Sequence, residues 1–599
     1  MVKRVAWQQV TRQLVDVAMG RTPADVVIRD GQWVNVHTRE IIPHTDIAIT
    51  QGRIAYAGED ASYCIGADTH VIEAQGRYLV PGLLDGHMHI ESSMLTVSEY
   101  VRAVLPHGTT GIFADPHEIA NVLGLSGVRL MVDEAASTPI NVFVQMPSCV
   151  PSAPGLERPG AVITPADVAE AMTWDGIIGL GEMMNFPGVF LNDEAMHAEM
   201  AATMAAHKTI GGHYANPDLE RPFHAYIAGG PADDHEGTNE RDAIERARRG
   251  MRPMLRLGSA WFDVEAQVTA ITRKGPDPRS FILCTDDVHA GTLVSEGHMD
   301  RVLRHAVGFG LDPVIGIQMM TLNTAQHFGV DRDLGSITPG RYADIVLTRD
   351  LRDFHADLVI AAGEIVAQDG KLSIDQPPYP YPVELRQTIK LQRSITAHDF
   401  DLHTSIDAPQ VTAHVVGIRN QAPTRHIRTA LNVHDGVVQP DPLQDVMRLS
   451  LVERYRETGE VVNGFVQGSA CTFLALSPAP SRTTVITLLV VGTNTEEMAI
   501  AANELARIGG GVIMVREGQI IALVELPIAG LMSDERAEIV AEKSLRLVEA
   551  MRECGCTLNN AYMQLSLLAL VVIPELRISD LGLVDVTCFQ HIPTVESTP

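Results

Sequence analysis

Between residues 80 and 335, short apolar runs alternate with helix-like stretches, and this alternation constrains the fold more tightly than anything else in the chain. Strands separated by helices pair in parallel, with helices covering both faces of the sheet. The runs fall at 83–89, 111–115, 142–145, 178–182 and 209–213, just before His235, and at 253–256 and 281–286. Eight of them predict a (β/α)8 barrel, whose chemistry gathers at the C-terminal ends of its strands.

The flanks carry a second pattern. Ala24-Asp25-Val26-Val27-Ile28 is echoed by Ala343-Asp344-Ile345-Val346-Leu347 and Ala356-Asp357-Leu358-Val359-Ile360. Either a common strand pattern recurs by chance, or strands on both sides of the barrel form one β domain, which is the expectation taken forward. The predicted α/β architecture is therefore an N-terminal amphipathic helix (1–23), a small composite β domain (24–79 and 336–375) and a (β/α)8 barrel (80–335) inserted into it. A proline-rich linker at 376–382 then leads to a C-terminal α+β domain (383–599). In that last domain a strand at 487–491, a helix at 495–508 and a strand at 512–515 surround the turn Gly509-Gly510-Gly511. Those glycines fit neither the phosphate-binding loop nor the dinucleotide fingerprint.

Charge narrows the partners. A formal net charge of -28 repels nucleic acid and anionic membranes at long range, leaving a small neutral or cationic molecule as the expected ligand. The N-terminus has no continuous apolar stretch of the export type. The most apolar late segment, 565–574, is about half the length of a membrane span and reads as a buried element. Seven thinly spread cysteines form no disulfide framework, so a reducing cytoplasm is the expected setting.

Polar candidates sit at the predicted strand ends. Residues two apart on a strand point the same way, so His87 and His89 aim both imidazoles at one point. Glu182 ends the fourth strand, His213 the fifth, His235 the sixth and Asp286 the eighth. Any one of these is compatible with an ordinary core or ion-pair role. Together they could close around two divalent cations, and a thiolate-free set of histidines and carboxylates suits zinc, manganese or iron.

Several longer motifs go further. Pro81-Gly82-Leu83-Leu84-Asp85-Gly86-His87-Met88-His89 and Gly335-Ser336-Ile337-Thr338-Pro339-Gly340 resemble the amidohydrolase superfamily. Ala114-Asp115-Pro116-His117-Glu118-Ile119-Ala120-Asn121, Gly181-Glu182-Met183-Met184-Asn185, Cys284-Thr285-Asp286-Asp287 and Leu526-Pro527-Ile528-Ala529-Gly530-Leu531-Met532-Ser533 resemble, within it, the adenine deaminase family over nearly the whole chain. The resemblance implies a two-metal site, manganese or iron being usual and zinc possible. It places His87, His89, Glu182 (as the bridge), His213, His235 and Asp286 at the metals, with Asp287 competing for the last position. It also implies hydrolysis of adenine to hypoxanthine and ammonia, and a homo-oligomer.

The chemistry expected of these groups is attack at purine C6 by a water deprotonated between two cations. Asp286 returns the proton to the leaving amine, His235 is the second catalytic candidate beside the metals, and Glu118 or His117 serves the ring nitrogen. For the Glu118 and His117 pair, ordering of the loop is an equal alternative. Two departures stand out. The family's Val-Ala-His-Asp-Ser-His-Asn stretch is replaced by Ser481-Arg482-Thr483-Thr484-Val485-Ile486-Thr487, and Gly212-His213-Tyr214 replaces a more usual His-Ala-Pro-Gly. They keep open another aminopurine or a cyclic amide as substrate, or a catalytically silent metal-binding ligand sensor.

Overall fold

The computed structural model describes residues 4–469, 473–476 and 488–596. Eight strands carry the centre of the molecule: β1 (Leu83–Met88), β2 (Thr109–Ala114), β3 (Asn141–Met146), β4 (Ile177–Met183), β5 (Thr209–Gly212), β6 (Asp233–Asp234), β7 (Arg252–Arg256) and β8 (Ile282–Cys284). They pair in parallel as two arcs, β1 to β5 and β6 to β8. The arcs adjoin at both ends. Ala232 N–H donates to Ile210 O at 2.9 Å between β5 and β6, and Asp286 N–H donates to His87 O at 3.0 Å between the end of β8 and β1. The result is a curled parallel sheet of the barrel type, and every residue of β1 and β2 is buried, as expected where helices cover the outside and side chains fill the inside.

A nine-stranded sheet combines strands from both sides of this unit. Tyr78–Pro81 lies antiparallel to Ile345–Thr348, with Val80 opposite Val346, and Leu358–Ala361 pairs with Ile345–Thr348 on its other side. Both later copies of the Ala-Asp-apolar pattern are therefore strands of the sheet that contains Val26–Asn35. Tyr78–Pro81 runs two residues past the expected boundary at 79, because pairing with Ile345–Thr348 continues to Pro81. The amphipathic helix Trp7–Ala18 buries Val10, Leu14 and Val17 on Ala48 and Ala55 of this sheet.

Beyond the barrel, a ten-stranded sheet spans Leu402–His403 to Gln519–Glu525 and packs helix Thr495–Ile508. Helix Ala537–Glu553 lies on strand Gln519–Glu525, and a three-stranded antiparallel sheet ends the described chain. The triple glycine is a turn: a Cβ on Gly510 would stand 2.4 Å from Gly530 Cα, so the turn admits the Leu526 to Ser533 loop by having no side chain. That loop reaches the barrel, where Ser533 N–H donates to Met94 O at 2.9 Å. Glu99 anchors the contact by accepting Arg536 Nη1 at 2.8 Å and Ala537 N–H at 2.9 Å. The proline-rich linker is docked as well, with the Tyr381 hydroxyl on the buried carboxylate of Glu134. Among the described residues no helix is long and apolar enough to cross a membrane, and the apolar segment after Tyr562 is buried.

Candidate metal centre

The strand ends converge on Glu182. Its position depends on Gly181, where a Cβ would stand 2.3 Å from Asp115 Oδ2. Because glycine leaves that space, the Asp115 carboxylate approaches and accepts Glu182 N–H at 2.7 Å. The Asp115 carbonyl also receives His89 Nδ1 at 2.8 Å. A carbonyl cannot donate, so Nδ1 of the His89 ring carries a proton and Nε2 is the nitrogen that faces the cluster. Asp286 lies two residues past β8 with φ +63°, a left-handed conformation uncommon for a residue with a side chain.

The Glu182 carboxylate stands between two histidine sets. Its Oε1 is 3.4 Å from His89 Nε2 and 3.2 Å from His117 Nδ1. Its Oε2 is 3.0 Å from His235 Nε2 and hydrogen-bonds His213 Nδ1. The His87 and His235 rings stack at 4.0 Å, and Asp286 Oδ1 is 3.5 Å from His89 Nε2. Ligand-type atoms approach one another closely in the sets His87–Glu182–His235, His87–His89–Asp286 and His213–His235–Glu236. All six predicted metal-site residues are thus brought together, and all are buried. Asp287, the competing position, accepts the Ser92 hydroxyl and also acts electrostatically on His89.

Electrostatics test whether cations fit. Glu91, Asp115, Glu118, Glu182, Asp286 and Asp287 are all buried in this region, and like charges in a low dielectric hold protons or demand a counter-charge. Burial, then Glu182, pushes Asp115 up to about 8. Burial, then Glu91, holds Glu118 well above the carboxylate range. Burial pulls His89 down, yet Glu118, Glu182, Asp287 and Asp115 outweigh it and raise it to about 9. Glu182 itself, despite burial, is held well below its ordinary value by His213 and His117. His89 Nε2 makes no hydrogen bond among the described residues. An unbonded buried nitrogen facing an excess of carboxylate is the environment a divalent cation satisfies, so the donor set fits one.

Sequence reasoning missed several supports. Arg256, at the end of β7, donates Nη1 to Asp286 Oδ2 at 3.0 Å and also binds Glu236 and Asp263, so one guanidinium orients carboxylates from three loops. Glu91 accepts Ile119 N–H at 3.2 Å, tying the segment after His89 to the helix that carries His117 and Glu118. His117, named from the sequence with Glu118 for the ring nitrogen, joins His89 and Glu118, and also Asp115 and Glu182, in sets of closely spaced ligand-type atoms. Asp85, two residues before His87, accepts Thr285 N–H at 3.0 Å and pairs with His298 Nε2 at 2.9 Å, stapling β1 to β8 beneath the cluster.

The C-terminal domain reaches the same mouth. Tyr455 donates to Asn121 Oδ1 at 3.3 Å, and Asn560 Nδ2 donates to the Ser259 carbonyl at 3.3 Å. The Ser481 to Thr487 segment, where the expected histidines are missing, lies outside the described residues.

Known proteins resemble the chain along its whole length. Residues 78–366 match the amidohydrolase family, and residues 421–590 match the adenine deaminase C-terminal domain. Adenine deaminase 3 of Rhizobium meliloti is 60% identical over 98% of this chain and 99% of its own. An adenine deaminase of Ruegeria pomeroyi is 59% identical over 99% and 98%, and one of Moorella thermoacetica is 46% identical over 98% of each. With identity at that level across barrel, composite sheet and C-terminal domain alike, the chain belongs to the adenine deaminase family.

Proposed function

We propose that this protein hydrolyses adenine to hypoxanthine and ammonia, with His87, His89, Glu182, His213, His235 and Asp286 holding two divalent cations. The observation that carries the reading is the Glu182 carboxylate set between His89 and His117 on one oxygen and His213 and His235 on the other. The full-length likeness to adenine deaminases supports the substrate. The thiolate-free donor set suits manganese, iron or zinc, and the family resemblance makes manganese the expected one. In this reading the two arcs close as a complete (β/α)8 barrel at 82–335, with 24–81 and 336–375 as the composite domain and 383–599 as the C-terminal one.

Bound cations supply the positive charge that lets water lose a proton near neutral pH. The chain's own groups do the rest. Asp286, oriented by Arg256 on Oδ2, keeps Oδ1 toward the cluster, where it takes the water's proton and returns it to the departing amine as ammonia forms. Glu118, whose carboxyl burial and Glu91 push well above its ordinary value, serves a ring nitrogen as charge develops there. His235, with Nε2 3.0 Å from Glu182, stands beside the metals as the second catalytic candidate. The burial of the whole set excludes bulk water.

The test is ammonia release from adenine by manganese-loaded and metal-free protein, beside a panel of other aminopurines. Manganese-dependent release from adenine is the expected result. Release from another panel member alone would move the substrate, and silence across the panel would overturn catalysis.

A further inference from the structure

The contact between the C-terminal domain and the barrel leaves a buried donor unused. After helix Ala537–Glu553 the chain turns at Asn560, whose φ of +54° is left-handed. Its side chain is pinned to the segment following β7 through the Ser259 carbonyl. Two residues later Tyr562 is 1% exposed, with its ring 5.9 Å from that of His289 and its hydroxyl within electrostatic reach of Asp287. Both neighbours belong to the loop after β8 that carries Asp286.

Buried tyrosine hydroxyls ordinarily find a partner, yet among the described residues the Tyr562 hydroxyl makes no hydrogen bond, and neither does Asn560 Oδ1. Acceptors on that loop take other donors. His289 Nδ1 takes Thr292 N–H at 3.2 Å, and Asp287 Oδ1 takes the Ser92 hydroxyl. Burial, and then the Asp287 charge, hold the phenol well above its usual range, so it is a protonated donor throughout the working pH. An aminopurine offers what is missing, since its unprotonated ring nitrogens are planar acceptors.

We propose that Tyr562 is a substrate-binding residue whose hydroxyl donates to a ring nitrogen of the purine, so that the C-terminal domain completes the base pocket the barrel begins. The inference rests on the deaminase reading above and adds the group that recognises the base. The pinning of Asn560 to Ser259 fixes where the hydroxyl sits.

The test is Tyr562→Phe in the full-length, manganese-loaded protein, which removes the hydroxyl and keeps the ring. One lost hydrogen bond to substrate predicts a KM for adenine raised about tenfold, with kcat within about threefold, as for an interaction made equally in ground and transition states. The inhibition constant of unsubstituted purine should rise in parallel, while melting temperature and metal content stay at wild-type values. Unchanged KM and unchanged purine inhibition would overturn the assignment, as would a loss confined to melting temperature or metal content. If the wild-type protein releases no ammonia, the deaminase reading fails separately. Calorimetric binding of adenine to wild type and Tyr562→Phe then decides this inference: weaker binding by the variant supports it, and equal or absent binding overturns it.

Discussion

Substitution of Gly181 by alanine isolates the support beneath Glu182. The added methyl would stand 2.3 Å from Asp115 Oδ2 and 2.7 Å from its Cγ, whereas ordinary contact begins at 3.4 Å, so the carboxylate must retreat by about 1 Å. Asp115 is fully buried, and close-packed surroundings offer little room for such a shift. Its 2.7 Å bond to Glu182 N–H would stretch past useful hydrogen-bond length. The lost bond and the overpacking together cost about 3 kcal/mol of stability. A comparable displacement of the Glu182 carboxylate costs on the order of 100-fold in rate and 10- to 100-fold in metal affinity. The assay is kcat/KM for ammonia release from adenine, with manganese content and a thermal melt on the same preparation. Asp115→Ala, which removes the acceptor, alone and combined with Gly181→Ala, completes the cycle: if both changes break one contact, the double variant is no worse than the worse of the two single variants. Wild-type kcat/KM and metal content in Gly181→Ala would refute the idea that Asp115 positions Glu182.

Arg256→Met should lower kcat steeply and destabilise the protein by about 3–5 kcal/mol, because Asp286, Glu236 and Asp263 would be left without their shared guanidinium; a melt and steady-state rates within error of wild type would contradict this. Glu99→Ala removes the acceptor of Arg536 and of Ala537 N–H, and hydrogen exchange of the Leu526 to Ala537 segment should quicken; unchanged exchange would show that this anchor does not hold the domains together. Asp300 gives a pH signature: against burial, His107 and Arg304 hold it at about 2, below its ordinary 3.8. A depressed folded value stabilises above the unfolded one, so about 2 kcal/mol is present above pH 4 and is lost as pH falls toward 2. The melting curves of wild type and Asp300→Asn should therefore converge on acidification, and a gap that stays constant down to pH 2 would rule the contribution out.

What was legible in the sequence was local. Helix Thr495–Ile508 was readable to the residue because Asn494 caps its start and Gly509, at φ +88°, ends it. The long barrel strands were readable because strands covered on both faces are apolar without interruption. Strand β6 was not, since Asp233–Asp234 has only two residues, both acidic, and only His235 marked its place. The same limit applies within the site. His87, His89, Glu182, His213, His235 and Asp286 sit where strands end and could be found one strand at a time. Asp115 and Arg256 act through space on loops far away in sequence, and no spacing rule connects Gly181 with the carboxylate that occupies the room it leaves.

The division between ligands and supports has a physical origin. A metal ligand is defined by its own chemistry, so a histidine or carboxylate at a strand end declares itself. A support is defined by what it compensates, and compensation is visible only once the charges are assembled. Six buried carboxylates around a few histidines cannot coexist in a low dielectric unless cations, protons or arginine offset them. Arg256 offsets part of the excess, and burial among like charges pushes Glu118 and Asp115 above their ordinary values. What remains falls on the unbonded His89 Nε2 and the Glu182 carboxylate beside it. That surplus is the structural statement of a divalent site. It also accounts for the domain arrangement, because a cluster so dependent on exclusion of water must be roofed. Among the described residues, Leu526 to Ser533, Tyr455 and Asn560, all from beyond the barrel, bind the loops that follow its strands.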